Sequence, residues 1–466
     1  MALARSLAPR PLPAQPVAAA LREAFRGEIV LPGDPTYDTA RRPWGDLHDG
    51  RPALVARPVD GHDVAAAVRL AADRGLELAV RSGGHSLAGH STTEGGLLLD
   101  LRGLRGLHVD PVARSAWVGA GLTAGEVTRA LHEHGLVVPF GDSPSVGVGG
   151  ITLGGGIGWL SRKHGMTIDN LIAAELVTAD GEVVTVSADR HPDLFWAIRG
   201  GGGNFGVVTR FQFRLQPVNL VLGGALALPL TADVLTGLAE AASEAPDELT
   251  TITMVMPIPP IPVVPPEAHG RLAVIVLPVY AGDLEAGQRA MAPLRSLAEP
   301  IADLVGPMPY PAMYELTGPE AGPHREIGWS ALADDLPTGL AGEIVDRLSD
   351  PAAGGAMFQL RVFGGAMGRV PNEATAFGHR DRRLLLMPMR TVETDAALPA
   401  AAEWIGEMAA LIRPVARGVY ANFLGDEGEA RVHEAYPEPT YRRLAALKRR
   451  YDPTNLFRRN QNIRVD

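Results

Sequence analysis

The chain has 466 residues, too many for one ordinary hydrophobic core, and its 46% hydrophobic content supplies material for more than one. A net charge of −10 argues against nucleic acid or an anionic membrane as the main partner. The absence of cysteine excludes disulfides, thiolate metal sites and a cysteine nucleophile. No apolar run approaches the length of a membrane span. Residues 1–16 are rich in Pro, Ala and Arg without a continuous apolar segment, so they read as a disordered lead-in rather than a secretory signal. A soluble cytoplasmic protein is expected.

In chain order, residues 15–26 predict a short amphipathic helix and 52–58 a strand between prolines. Residues 63–74 predict a helix with Val64, Val68 and Ala71 on one face and Gly75 as its stop. A strand over 76–81 then runs into Arg81-Ser82-Gly83-Gly84-His85-Ser86-Leu87-Ala88-Gly89. Gly83, Gly84 and Gly89 allow backbone to approach a ligand, and successive N–H groups from Ser82 to Ser86 suit an anion such as pyrophosphate. His85, in the middle of the turn, carries an imidazole able to act as a nucleophile; a polar surface loop accounts for the stretch equally well. Strands follow at 97–101 and 116–118. Thr123 and Glu126 form a capping box for a helix running to His134. His132 and His134, two apart on that helix, face different sides and cannot share a metal, so both are read as surface residues and no metal site is expected.

The second glycine block, 141–158, holds eight glycines in eighteen residues, a composition that argues against ordinary helix or strand. Interleaved Val146, Val148, Ile151, Leu153 and Ile157 also argue against a linker and suggest backbone wrapped around a large flat ligand. A hairpin turns at Asp180-Gly181. Gly201, Gly203 and Gly206 match the spacing of a dinucleotide fingerprint, but the alternating strand 207–216 follows where that motif requires a helix. The turn reads as holding a different nucleotide.

At Pro217 the character changes. Strands are predicted at 223–230, 250–256, 272–280, 357–363 and 383–389, with helices at 232–245, 284–297, 340–348 and 401–412: an antiparallel sheet covered by helices on one face. The proline-rich stretch 257–266 reads as a connector. The tail, 413–466, offers a strand at 418–423 and a helix at 440–450. It ends in Asn460, Gln461 and Asn462, whose carboxamides suit the edge of a heterocycle or the capping of turns.

Arg81-Ser-Gly-Gly-His85-Ser, the block 144–158, and the ending Tyr451-Asp-Pro-Thr-Asn-Leu-Phe followed by Asn460-Gln-Asn together resemble the berberine-bridge-enzyme-type branch of the vanillyl-alcohol-oxidase flavoproteins. Within that branch the chain looks similar to bacterial oxidases of secondary metabolism such as the flavoenzyme of enterocin biosynthesis. The resemblance is close over residues 15–217 and 413–466. It implies an α+β fold: a two-part PCMH-type FAD-binding domain (1–217, completed by 413–466) and an antiparallel-sheet substrate domain (218–412). It also implies FAD joined covalently to His85. Arg81, Ser82, Gly83, Gly84 and Ser86 would surround the pyrophosphate, with Gly89 in the same turn. Gly149, Gly150, Gly154 and Gly158 would follow the flavin and adenosine, Gly206 and Val208 the adenine end, and Asn422, Asn460 and Asn462 the flavin side from the tail. Ser143 stands where some members carry a second tethering cysteine, so one covalent bond is expected.

Flavin chemistry then calls for hydride transfer from a substrate C–H with a base for the accompanying proton. The resemblance places that base near Tyr420, and Arg361 is a candidate cation to lower its pKa; a packing tyrosine is the other reading. Val146 occupies the position that gates dioxygen, which implies oxidase behaviour with hydrogen peroxide as product. Alternation nominates Met254, Met256, Tyr280, Gln359, Arg361 and Phe363 as pocket lining. A small-molecule substrate and dioxygen are the expected partners, with a homodimer left open. The rival readings are a dehydrogenase passing electrons to a quinone or protein, an oxygenating flavoenzyme of secondary metabolism, and a non-catalytic ligand-binding protein.

Overall fold

The structure, a computed structural model, describes residues 14–262, 264–317 and 325–464. Most of the predicted lead-in and residue 263 of the proline connector lie outside them. Helix Ala14–Arg22 opens the described chain and buries Val17 and Leu21. Helix Gly61–Arg74 begins where the Asp60 carboxylate accepts hydrogen bonds from the N–H groups of His62 and Asp63, and it stops at Gly75 in a left-handed conformation (φ 61°). The capping box of Thr123 and Glu126 forms as predicted and starts helix Ala124–His132.

Two sheets share the first core. One runs in the order Glu28–Val30, Leu54–Arg57, Leu97–Asp100, Leu78–Arg81, with its last two pairings parallel. The other is antiparallel: Leu107–Asp110, Ser115–Gly119, Val207–Arg214, Leu171–Val177, Val183–Ser187. Along Val207–Arg214, Phe211 and Phe213 are buried while Arg210 and Arg214 are exposed, the period-2 pattern of a half-buried strand. Helix Gly61–Arg74 touches both sheets. The same hydrophobic cluster takes in Val419, Leu424, Tyr436, Leu444, Phe457 and Ile463 from the far end of the chain.

Between these two stretches of sequence lies a larger antiparallel sheet, ten-stranded among the described residues. Its centre is Leu272–Tyr280, Leu249–Pro257, Ala356–Val362 and Leu384–Thr391. Helices Ala232–Glu244, Leu284–Arg295, Thr338–Ser349 and Leu398–Ile412 cover one face, packing Leu238, Met291, Ile344 and Met408 in one cluster with Val274, Val276, Phe358 and Leu386. The opposite face turns toward the first core. No helix among the described residues is long and apolar enough to cross a membrane.

Three predicted elements are corrected. The strand at 223–230 is two strands, Leu220–Gly223 and Leu226–Pro229, broken at Gly224, where φ is 138° and a Cβ would sit 2.3 Å from the Leu304 carbonyl oxygen. The stretch 418–423 is not a strand; after extended Tyr420 it closes in a single 3-10 turn, Ala421–Phe423. The second glycine block does contain a helix, Val148–Gly154, because burial of Val148 and Ile151 overrides poor intrinsic propensity.

Candidate active site

The two glycine blocks meet backbone to backbone. A Cβ on Gly83 would lie 2.3 Å from the Gly147 nitrogen, and one on Gly147 would lie 2.1 Å from the Gly83 nitrogen, so neither position admits a side chain. Ser82 fastens the contact: its hydroxyl donates to the Ala120 carbonyl (2.6 Å) and accepts from Gly149 N–H (3.1 Å). The junction forms the floor of a cavity of about 410 Å³, within the ~300–1,000 Å³ common for cofactor and ligand sites. Ser82, Gly83, Gly84, His85 and Ser86 from the first block line it, as do Ser143, Val146, Gly149, Gly150 and Gly154 from the second. Gly206 and Val208 reach it from the third glycine turn, and Tyr420, Asn422 and Asn460 from the tail.

Four expected residues lie off this wall. The Arg81 guanidinium turns into the interior, where it donates to Asp100 (2.9 Å) and to the carbonyls of Ala40, Arg41 and Arg42. It holds the loop from behind and is not placed to meet a phosphate. Burial opposes the ionised form of Asp100, but hydrogen bonds from Arg102 and Arg81 outweigh that and hold its pKa far below the carboxylate range. Gly89 makes room for the His48 ring and Gly158 for the Phe140 carbonyl. Asn462 lies outside the cavity lining. His132, expected at the surface, is half-buried with its Nδ1 inside.

His85 stacks on Trp44, ring centroids 4.1 Å apart and planes 20° apart. Trp44 was missed because an aromatic in a Pro/Gly loop carries no periodic signal. Gln461 lines the cavity, as its carboxamide suggested, and Asp142, His90 and Arg459 line it unforeseen. Each neighbours a nominated residue, and that adjacency was the available clue.

Tyr420 is buried, and burial pushes its hydroxyl up to about 12. Its oxygen accepts from Gly156 N–H and from the Asn422 amide, both at 2.9 Å. Those two donors favour the phenolate but do not overcome burial. Arg361 was expected to assist, yet it is committed elsewhere: its two terminal nitrogens donate to the two oxygens of Asp142 at 2.7 and 3.0 Å. Arg361 draws the Tyr420 pKa down while Asp142 draws it up. The phenol therefore holds its proton at neutral pH, with both acceptor positions occupied and its own O–H left to point elsewhere.

The wall opposite the glycine blocks comes from the open face of the large sheet. Gln359, Arg361, Met387 and Met389 line the cavity with Phe423. Of the other nominated residues, Tyr280 has the opposite parity and packs among the helices. Met254 and Met256 have the correct parity but pack with a cluster around Tyr310. Phe363, just past its strand, joins a cluster with Met166 and Phe377.

The residues present suit FAD. Gly154 lies so near Asn422 that a Cβ would be 2.0 Å from its Oδ1, whereas a Cβ on Gly150 would meet nothing within 4 Å. The Oδ1 of Asn460 is buried without a hydrogen-bond partner on the same wall. A backbone floor with carboxamide edges matches a ligand that is flat and rimmed with acceptors and donors.

Comparison with known proteins agrees. The family described as FAD binding domain matches residues 52–187, and the one described as berberine and berberine like matches 419–464. The (R)-6-hydroxynicotine oxidase of Paenarthrobacter nicotinovorans is 34% identical over 461 residues, covering 94% of this chain and 97% of that protein. The crystal structure of 6-hydroxy-D-nicotine oxidase from Arthrobacter nicotinovorans superposes with a TM-score of 0.84 at 32% identity, over 95% of this chain and 99% of that one. The fold is also shared with a xylooligosaccharide oxidase from Myceliophthora thermophila, at a TM-score of 0.84 and 24% identity over 97% of this chain and 99% of that one. With the cavity walled by both matched segments, the chain belongs to the FAD-linked oxidoreductases that join an FAD binding domain to a berberine-like C-terminal segment.

Proposed function

We propose that the protein is an oxidase: it removes a hydride from a C–H bond of a small organic substrate onto FAD held by a single covalent bond from His85, and dioxygen takes the electrons to give hydrogen peroxide. The observation that carries this is the convergence of His85, the paired glycine blocks and the Tyr420–Asn422 turn on one cavity. When bound, the flavin supplies the two-electron acceptor.

The chain's own residues do the rest. Ser82, Gly83 and Gly149 would hold the cofactor's phosphate end, and Asn422 and Asn460 its ring edge. Trp44 fixes the plane of the His85 imidazole. Gln359, Met387, Met389 and Phe423 face the substrate. Tyr420, protonated at neutral pH, positions the reacting oxygen or nitrogen through its O–H and accepts its proton only in the small fraction that ionises. The small side chain of Val146 on the cavity wall leaves room for dioxygen. Two relatives named as oxidases, of 6-hydroxynicotine and of xylooligosaccharides, support a small organic substrate.

The test is to precipitate the purified protein with acid, when yellow colour is expected to stay in the pellet. Anaerobic reduction followed by admission of air should restore the oxidised spectrum with stoichiometric peroxide. Colour released to the supernatant overturns the covalent bond, and slow reoxidation without peroxide favours a dehydrogenase.

A further inference from the structure

Asp142 and Arg361 face one another across the seam between the glycine block and the large sheet. Asp142 is the sole carboxylate among the described residues lining the cavity, and both of its oxygens are taken by Arg361 at 2.7 and 3.0 Å. The pair is nearly enclosed, with side-chain exposures of 17% and 6%. The Arg361 guanidinium also lies over the Phe423 ring, 5.0 Å from its centroid. Its remaining anchored donor, Nε–H, points to the Gln359 Oε1 at 2.7 Å.

Two consequences follow from donor and acceptor bookkeeping. A guanidinium N–H can only donate, so the Gln359 amide is oriented with its oxygen toward Arg361 and its NH₂ away from it. That NH₂ has no partner among the described residues, and Gln359 lines the cavity. The one carboxylate that the described residues bring to the wall is already neutralised by a bidentate partner, so a cation entering the site loses its hydration without meeting a free counter-charge there. The other charged group on the wall, Arg459, is itself positive and is tied to the carbonyls of Gly89 and Thr92.

We infer that the Asp142–Arg361 pair is a charge filter: the site takes an uncharged molecule bearing an oxygen acceptor, held by the Gln359 amide, and rejects an ammonium of the same shape. This rests on the oxidase reading and narrows its substrate class to alcohols, sugars and carbonyl-bearing compounds rather than cationic amines. Arg361 and Gln359 thereby act as specificity-determining residues.

The test uses the purified holoenzyme and an isosteric pair of probes, benzyl alcohol and benzylammonium, titrated at neutral pH while the flavin absorbance is followed. Benzyl alcohol is expected to bind at least tenfold tighter. Arg361→Gln frees the carboxylate and should move the ratio toward benzylammonium by tenfold or more. Asp142→Asn leaves the guanidinium unpaired and should favour benzoate over benzyl alcohol by a similar factor, so the two variants shift selectivity in opposite directions. Equal binding of the two probes by the wild-type protein, tighter binding of benzylammonium, or variants that leave the ratio unmoved overturn the filter. Protein purified without any flavin overturns the oxidase reading instead, and the two failures are told apart by colour alone.

Discussion

The two walls of the cavity are built from different materials. On the cofactor side the surface is mostly backbone: glycines 83, 147, 149, 150 and 154 and the hydroxyl of Ser82, set by contacts too close for any Cβ at Gly83, Gly147 or Gly154. On the substrate side the surface is side chain: Gln359, Arg361, Met387, Met389 and Phe423 project from a regular sheet or a short turn. A backbone surface has one shape and tolerates little change. A side-chain surface on a sheet can be rewritten at alternate positions while the ladder beneath stays intact. The backbone wall is therefore the less tolerant of the two, and the side-chain wall is the one that substitutions can reshape.

That contrast predicts where substitutions are severe. The largest effect is expected behind the cofactor wall at Asp100→Asn, which leaves buried Arg81 without its counter-ion; destabilisation of about 3–5 kcal/mol is expected, read by denaturant unfolding, with flavin lost alongside. A loss below 1 kcal/mol would show that the wall does not depend on that pair. Tyr420→Phe should keep the flavin and slow anaerobic flavin reduction by roughly a hundredfold, about 2.7 kcal/mol. An unchanged rate removes Tyr420 from proton handling. With its pKa at about 12, the wild-type reduction rate should keep rising with pH beyond 9 if the phenolate is the base, and a plateau near neutrality would assign that task to another group.

Gly147→Ala should destabilise by about 1–3 kcal/mol and empty the cofactor site, because the added methyl meets the Gly83 backbone. Flavin-loaded protein with normal colour would contradict the backbone floor. Acid should weaken the fold in a defined window. Burial and Arg459 lower His90 to about 4, and burial and Lys163 lower His164 to about 4. Each group takes its proton in the unfolded chain before it does in the folded one, so stability is fully present above the unfolded value, falls as pH drops from about 6.5, and levels off below about 4. A melting temperature flat across that interval would oppose this. At the small end, Met389→Leu on the substrate wall should cost less than about 1.5 kcal/mol and change only the apparent KM.

The cofactor wall was legible in the sequence because glycine has few uses at such density, in a first block that holds His85 and a second at 141–158. The central strands were legible too, since 272–280 is a continuous apolar run rich in Val and Ile, and 357–363 sets Gln359 and Arg361 at alternate positions among apolar residues. Parity was harder. Nothing in Leu272–Tyr280 says which alternate set faces helices, so Tyr280 was assigned to the wrong face. The helix inside the second glycine block was hidden because what holds it, burial of Val148 and Ile151 and hydrogen bonds with Ser82 and Asn422, depends on partners distant in sequence rather than on intrinsic propensity. Arg81 misled for a related reason: a basic residue beside a phosphate-type turn suggests a ligand, and only Asp100, on the paired strand, shows that it is already engaged.

The interleaving of the chain sets an order of assembly. The side chain of Asn204 accepts from Ile463 N–H and donates to the Gln461 carbonyl, and Arg459 reaches back to Gly89 and Thr92. These closures span more than 250 residues of sequence. During synthesis the nucleotide-holding half must wait, incomplete, while the entire intervening sheet is translated and folded. Its final rim is drawn shut only once residues 459–463 are in place, so the finished cofactor wall depends on a segment far down the chain from the glycine blocks.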